Sequence, residues 1–311
     1  IFDCIQLPEF QRLRRIKQLG LTNMVYPGAQ HTRFQHAIGA MHLMHTAIKS
    51  LRSKDIVISD QEEIGVLLAI LLHDIGHGPF SHSLEHSILE NVNHENISSV
   101  LMHQINAKMN GQLDMAIQIF ENKYYRPFLH QLVSSQLDMD RLDYLRRDSF
   151  YTGVSEGTVG IERIIQMLNV RNEQLIVDQK GIYSVEKFLM ARRFMYWQVY
   201  LHKTSIVADC LLLGTLKRAK ELIASNKTIF ASPFLTFFLT HCFTKEDLQK
   251  EDVLTNFCNL DDNEIISAIK VWQTNPDKTL STMSKMIIDR NLLKIEIADE
   301  PYSLEYIHTK E

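Results

Sequence analysis

Residues 59–72, SDQEEIGVLLAILL, constrain the fold more than any other stretch. Ser59 and Glu62 have the spacing of a capping box, and from Ile64 to Leu72 only Gly65 interrupts an apolar run. A helix apolar on every side has no face to give to water, so other helices must enclose it. The stretch is also too short to span a bilayer, which takes roughly 20 apolar residues. The expectation is an all-α, mainly helical architecture with this helix at its centre.

The chemistry begins where that helix stops. HDIGHGPFSHSLEH follows it, and ten of the fourteen histidines lie between His31 and His103. Core packing does not call for such crowding. A helix end suits metal ligands because the last turn frees side chains and backbone to face a cavity. His73 and Asp74 stand about 100° apart around a helix, so they converge on one ion only near its end. Gly76 and Gly78 are expected to provide the break. Imidazole with carboxylate suits Mg, Mn, Fe, Ni or Zn, which implies one divalent ion without naming it. Two ligands make a weak site. His36 in HTRFQHAIG, and Asp138 and Asp140 in SSQLDMDRLDYLRRD, are the candidates to complete it. The plainer alternative is a solvated helix terminus and a core histidine.

Around this motif the chain reads as helices. Pro8 in a first turn opens one that runs to Gly20, and apolar residues at helical spacing mark Thr32–Leu51, Asn93–Met109 and Pro127–Arg147. One small β-hairpin is expected at 173–185, EQLIVDQKGIYSV, turning at Lys180–Gly181. A long helical pattern runs from Ser184 to Leu222, and Asp261–Arg290 holds two shorter helices. The chemistry falls in 1–225, and 226–311 reads as a helical extension packed on it. With 45% hydrophobic and 23% charged residues and a net charge of −4, the chain offers a real core and no general nucleic-acid surface. A local basic pocket remains compatible with that charge. Cys4, Cys210, Cys242 and Cys258 show no C-x-x-C spacing and read as reduced thiols. With no apolar run near 18 residues and no signal peptide, the expected location is cytoplasmic, away from membranes. The first residue is not Met, and the sequence is expected to start inside a longer gene product.

RFQHAIG, LLHDIGHGPFSH and SSQLDMDRLDYLRRD, in that order, resemble the motifs of the HD-domain metal-dependent phosphohydrolases. The nearer likeness is to the deoxynucleoside triphosphate triphosphohydrolase branch, which includes the SAM-and-HD-domain enzyme. LPEFQRLRRIKQLG, YTG and RRFMYWQVYLHK extend it over roughly residues 6–222, without a SAM module. The resemblance implies that His36, His73, Asp74 and Asp140 hold the ion, with Asp138 outside. It implies phosphate contacts from Arg33, His77, Arg141 and Arg192. It makes His82 the general acid toward the leaving oxygen and places His94 beside the attacked phosphate. Glu85 and Glu95 stand where they could orient these imidazoles. Tyr144, Asp148 and Tyr200 match positions that line a deoxyribose, with Gln18 and Leu19 closing over it. A tyrosine against the sugar's 2′ carbon leaves no room for a hydroxyl.

Some of this has independent support. Arg33 stands one turn before His36, on the same face, where a guanidinium can grip a phosphoryl oxygen. Asp140, Tyr144 and Arg147 follow at i, i+4 and i+7, giving one face an acid, a phenol and a cation. One position departs from the family. Gln6 stands where the vertebrate enzyme has the acid that reads a guanine effector, although Gln11 and Arg14 are kept. An amide accepts at one atom where a carboxylate accepts at two, which bears on whether a nucleotide effector binds here.

The expected function is metal-assisted hydrolysis of a deoxynucleoside triphosphate to deoxynucleoside and inorganic triphosphate. The alternatives are a nucleotide phosphomonoesterase or phosphodiesterase and a nucleotide-binding regulator with weak turnover. The resemblance also implies a homo-oligomer, dimer or tetramer.

Overall fold

The computed structural model describes residues 1–81, 92–241, 243–298 and 300–309, and these are mainly helical with one two-stranded hairpin. The elements are α1 (Phe2–Gln6), α2 (Pro8–Gln11), α3 (Arg33–Arg52), α4 (Asp60–Leu72), α5 (His94–Lys108), α6 (Asp114–Phe120), α7 (Pro127–Val133) and α8 (Met139–Thr152). After α9 (Ile161–Met167) come β1 (Leu168–Arg171), β2 (Gln174–Val177), α10 (Ile182–Met195) and α11 (Lys203–Ala224). The remainder is α12 (Pro233–Thr240), α13 (Glu251–Cys258), α14 (Asp262–Trp272), α15 (Lys278–Ile288) and α16 (Leu304–His308).

Helix α4 is the buried axis. Its capping box forms as the sequence demands: Glu62 N donates to Ser59 Oγ at 3.2 Å and Ser59 N to Glu62 Oε2 at 2.8 Å. From Gly65 to Leu72 every residue is buried, between α3 on one side and α6 on the other. Glu62 also accepts from Arg126 Nη1 at 3.0 Å, tying the start of α4 to the segment before α7. Helix α8 lies against α3, and Gly39 permits it. A Cβ there would fall 2.1 Å from Asp143 Oδ1 and 1.9 Å from Arg147 Nη2.

Several elements differ from the sequence expectation. The hairpin lies earlier than 173–185, pairing Leu168–Arg171 with Gln174–Val177. Its turn is Asn172–Glu173, both at positive φ (52° and 57°), the conformation two-residue hairpins require. Lys180–Gly181 instead leads into α10, whose Phe188, Ala191 and Met195 are buried at helical spacing. The helix from Pro8 tightens at Arg12 into a 3₁₀ turn and becomes extended at Ile16. Lys17 thereby forms a β-bridge with Thr32. The Pro127–Arg147 pattern is two helices, because Asp138 caps α8 and also accepts from Ser135 N at 2.6 Å.

The pattern from Ser184 to Leu222 is also broken. Tyr196–Tyr200 form a π-helical turn, His202 caps α11 through Thr204 N at 3.2 Å, and the two helical stretches meet at 54°. No single helix among the described residues is long and apolar enough to cross a membrane.

Candidate active site

The end of α4, the first turns of α3 and α8 and the start of α5 meet at one point. His36 Nε2 lies 3.0 Å from Asp140 Oδ1 and 3.6 Å from Asp74 Oδ2. His73 Nε2 lies 3.3 Å from Asp74 Oδ1 and 3.6 Å from Asp140 Oδ1. Each imidazole is oriented through its other nitrogen. His36 Nδ1 meets Asp143 Oδ2 at 2.9 Å, and His73 Nδ1 donates to the Ile70 carbonyl at 2.6 Å. Both Nε2 atoms are buried without an aligned hydrogen-bond partner among the described residues. Two imidazoles with Nδ1 engaged and Nε2 converging on carboxylates are a donor set able to hold a divalent cation, with His36, His73 and Asp74 close enough to share one.

The electrostatics agree. Burial alone would lower the His36 imidazole, yet Asp140 and Asp143 raise it to about 10. His73 is raised as well, by Asp74 and Asp140 against its burial. Burial pushes Asp74 and Asp140 up, but the imidazoles, with Arg33 beside Asp74, hold both well below the ordinary carboxylate range. The cluster attracts positive charge to its centre, which a divalent ion could supply in place of protons.

Gly76 controls the next approach by its lack of a side chain, because neither it nor Gly78 has a positive φ. A Cβ on Gly76 would fall 2.2 Å from the His94 carbonyl and 2.4 Å from Ser98 N. The start of α5 therefore reaches the metal cluster, and the His77 and His94 rings stack at 3.9 Å, 15° apart. His77 Nε2 is 3.3 Å from Asp74 Oδ1. Its burial and the nearby Arg33 hold the His77 imidazole well below its usual range, and thus neutral.

A cavity of about 410 Å³ opens from this cluster. Asp140, Tyr144 and Asp148 line it from one face of α8, and Gln18 and Leu19 line it from the N-terminal loop. Arg33, His77, His94, Arg141 and Tyr200 also face it. Arg33 is committed within the protein, donating from Nη1 to Asp74 Oδ2 at 2.6 Å and from Nε to Ser81 Oγ at 3.0 Å. Arg141 Nε donates to Asp138 Oδ2 at 3.2 Å, so Asp138 is a cap and an anchor. Asp148 is gripped from both sides, by His31 Nε2 at 2.7 Å and Tyr200 OH at 2.8 Å.

Some expected residues fall elsewhere. His82 and Glu85 lie outside the described residues. Glu95 is exposed and does not line the cavity; neighbours on a helix diverge by about 100°, which turns it from His94 toward water. Arg192 also stands outside the lining, with its guanidinium 5.5 Å from the Tyr196 ring. Arg147 does not share the cavity face; it pairs with Asp143 through two contacts of 2.8 Å. Gln11 and Arg14 bond to each other at 2.9 Å, with Arg14 over the Phe34 ring. The sequence reading passed over Asp143, His31, Ser81, Tyr196 and Asp209, the last three of which line the cavity. Asp143 had a signal, standing one helical turn after Asp140.

A phosphohydrolase of Bacteroides thetaiotaomicron, solved as a crystal structure, is 57% identical and superposes with a TM-score of 0.96 over 98% of this chain and 76% of that one. The HD domain pattern matches residues 33–148, which contain His36, His73, Asp74 and Asp140. The chain belongs to the HD-domain phosphohydrolase family. The HD associated region follows at residues 159–237. A relative in Bacillus subtilis, the uncharacterised protein YwfO, is 33% identical over 94% of this chain and 67% of its own length. The deoxynucleoside triphosphate triphosphohydrolase SAMHD1 homologue of Dictyostelium discoideum is 29% identical over 72% of this chain and 47% of its own. The chain thus spans about two-thirds of the bacterial relative and about half of the amoebal one.

Proposed function

We propose that this HD-domain chain hydrolyses deoxynucleoside triphosphates to deoxynucleoside and inorganic triphosphate. The observation that carries the reading is the stripe Asp140, Tyr144 and Asp148 along one cavity wall. One helical turn separates each from the next, about 6 Å, so phosphate-handling and sugar-handling groups stand side by side. At the Asp140 end His36, His73, Asp74 and Asp140 would hold a divalent ion. That ion would supply a lowered water pKa and polarise the attacked phosphoryl group.

The chain's own residues do the remainder. Arg141, the neutral His77, and His94 face the phosphates. At the other end the rings of Tyr144 and Tyr200 meet edge to face with centroids 6.2 Å apart. They pack against the sugar face, where a 2′-hydroxyl would meet a ring. Asp148, fixed by His31 and Tyr200, accepts a hydrogen bond from the remaining sugar hydroxyl. His82 is assigned as the proton donor to the leaving ester oxygen by its place in GPFSH.

The test is product analysis on Mn²⁺-loaded protein incubated with single nucleotides. Deoxynucleoside with inorganic tripolyphosphate is the expected result, and ribonucleotides are turned over at least tenfold more slowly. Orthophosphate or a nucleoside monophosphate as product would overturn the reading in favour of a phosphomonoesterase or phosphodiesterase. Tight nucleotide binding without turnover would mark a regulator.

A further inference from the structure

Residues 226–311 reach Asp74 of the histidine–carboxylate cluster through hydrogen bonds joined across the Phe80–Ser81 peptide. Asp262, at the start of α14, is buried, and among the described residues its oxygens accept from backbone N–H groups. Oδ1 accepts from Phe80 N at 2.8 Å and Oδ2 from Lys17 N at 3.0 Å. Phe80 and Ser81 are consecutive non-glycine residues in the left-handed region, at φ 55° and 53°. Left-handed backbone is unfavourable for non-glycine residues, so something must hold them there. Asp262 holds the first, and Ser81 Oγ completes the turn by donating to the Lys17 carbonyl at 2.8 Å. The same Oγ accepts from Arg33 Nε, and the far end of Arg33 grips Asp74 Oδ2.

From this chain of contacts we infer that Asp262 is a positioning residue for Asp74, acting through the Phe80–Ser81 turn and Arg33. The inference rests on the reading of His36, His73, Asp74 and Asp140 as a divalent-cation site. Asp262 matches its two amide donors because only a carboxylate presents two acceptors at once. Asn at 262 would turn an N–H₂ group against one backbone N–H. The turn would relax, Arg33 would lose its fixed Ser81 acceptor, and Asp74 would no longer be aimed. Asp261 is the natural control. It caps the same helix through Asn263 N and Glu264 N and pairs with Arg15, but touches neither Phe80 nor Lys17.

The experiment is Mn²⁺ titration by electron paramagnetic resonance on Asp262→Asn, Ser81→Ala, their double variant and Asp261→Asn. It is run at pH 8, above the value of about 6 to which burial lifts the Asp262 carboxyl. Melting curves on each variant check the fold. Outer groups that orient metal ligands change affinity by roughly 10–100-fold. About tenfold weaker Mn²⁺ binding is expected for Asp262→Asn and for Ser81→Ala. The double variant is no weaker than either single one, as for two residues acting in series. Asp261→Asn keeps wild-type affinity even if it melts earlier, and excess Mn²⁺ restores turnover in Asp262→Asn. Wild-type affinity in Asp262→Asn, or equal weakening in Asp261→Asn, overturns the inference. If Asp262→Asn does not fold, wild-type affinity in Ser81→Ala overturns it as well. A wild-type protein that binds no Mn²⁺ overturns the cation site itself, and the inference with it.

Discussion

Asp143 does not line the cavity, yet it determines what His36 can offer there. Its contact with Nδ1 fixes the tautomer whose lone pair points from Nε2 toward Asp140 and Asp74, and Arg147 holds it in turn. Asp143→Asn keeps the size and removes the charge, so metal affinity should fall by about 10–100-fold, read by calorimetric Mn²⁺ titration. The same pair predicts a pH dependence. In chelated protein the His36 pKa lies near 10, above its unfolded value of about 6.5. The stability this contributes is complete below about pH 6.5 and disappears as pH rises toward 10. A bound ion replaces that proton, so the gap in Tm between Mn²⁺-loaded and chelated protein should widen from pH 6.5 to 9.5. A constant gap would count against the assignment of His36. At this scale the residues legible in sequence were those whose chemistry is local. His73 and Asp74 announce themselves at a helix end, while the choice of Asp140 over Asp138 came from the family resemblance. His31 gave no such signal, because its partner Asp148 is distant in sequence and only the fold brings them together.

Helix α4 was readable nearly to the residue because its box, its apolar run and its end are all encoded locally. Elements shaped by distant contacts were not. The tightening after Gln11 follows from Arg12 being drawn inward, and the π-helical turn at Tyr196–Tyr200 carries two tyrosines into the cavity wall. Nothing in the apolar periodicity of MYWQVYL distinguishes that turn from a continuous helix. Packing between elements yields its own prediction. Gly76→Ala places a methyl against the His94 carbonyl and Ser98 N, backbone atoms that cannot move without displacing α5. Overpacking of this kind costs about 1–3 kcal/mol, so the urea midpoint should drop. Turnover should drop further than stability, because His94 moves away from His77. Full activity in a folded Gly76→Ala protein would show that the stack is dispensable.

In the whole molecule the N-terminal segment and the α13–α14 region close on the same motif. Arg12, fully buried, donates from Nη1 to the carbonyls of Ile75 (3.1 Å) and His77 (2.8 Å). From Nη2 it donates to those of Phe257 (3.4 Å) and Leu260 (3.3 Å). Lysine cannot span four acceptors with one ammonium. Hydrogen bonds to a charged group contribute about 1.5–3 kcal/mol each, so Arg12→Lys should lower the melting temperature by several degrees or more. A melting curve unchanged from wild type would rule out the clamp. The arrangement also imposes an order on biosynthesis. His36, His73, Asp74 and Asp140 leave the ribosome long before Phe257, Leu260 and Asp262 have been translated. Until those residues emerge, half of the Arg12 fork has no acceptors, and the amides of Lys17 and Phe80 lack their carboxylate. The four candidate ligands are translated early, but the groups that brace their motif come only with α13 and α14.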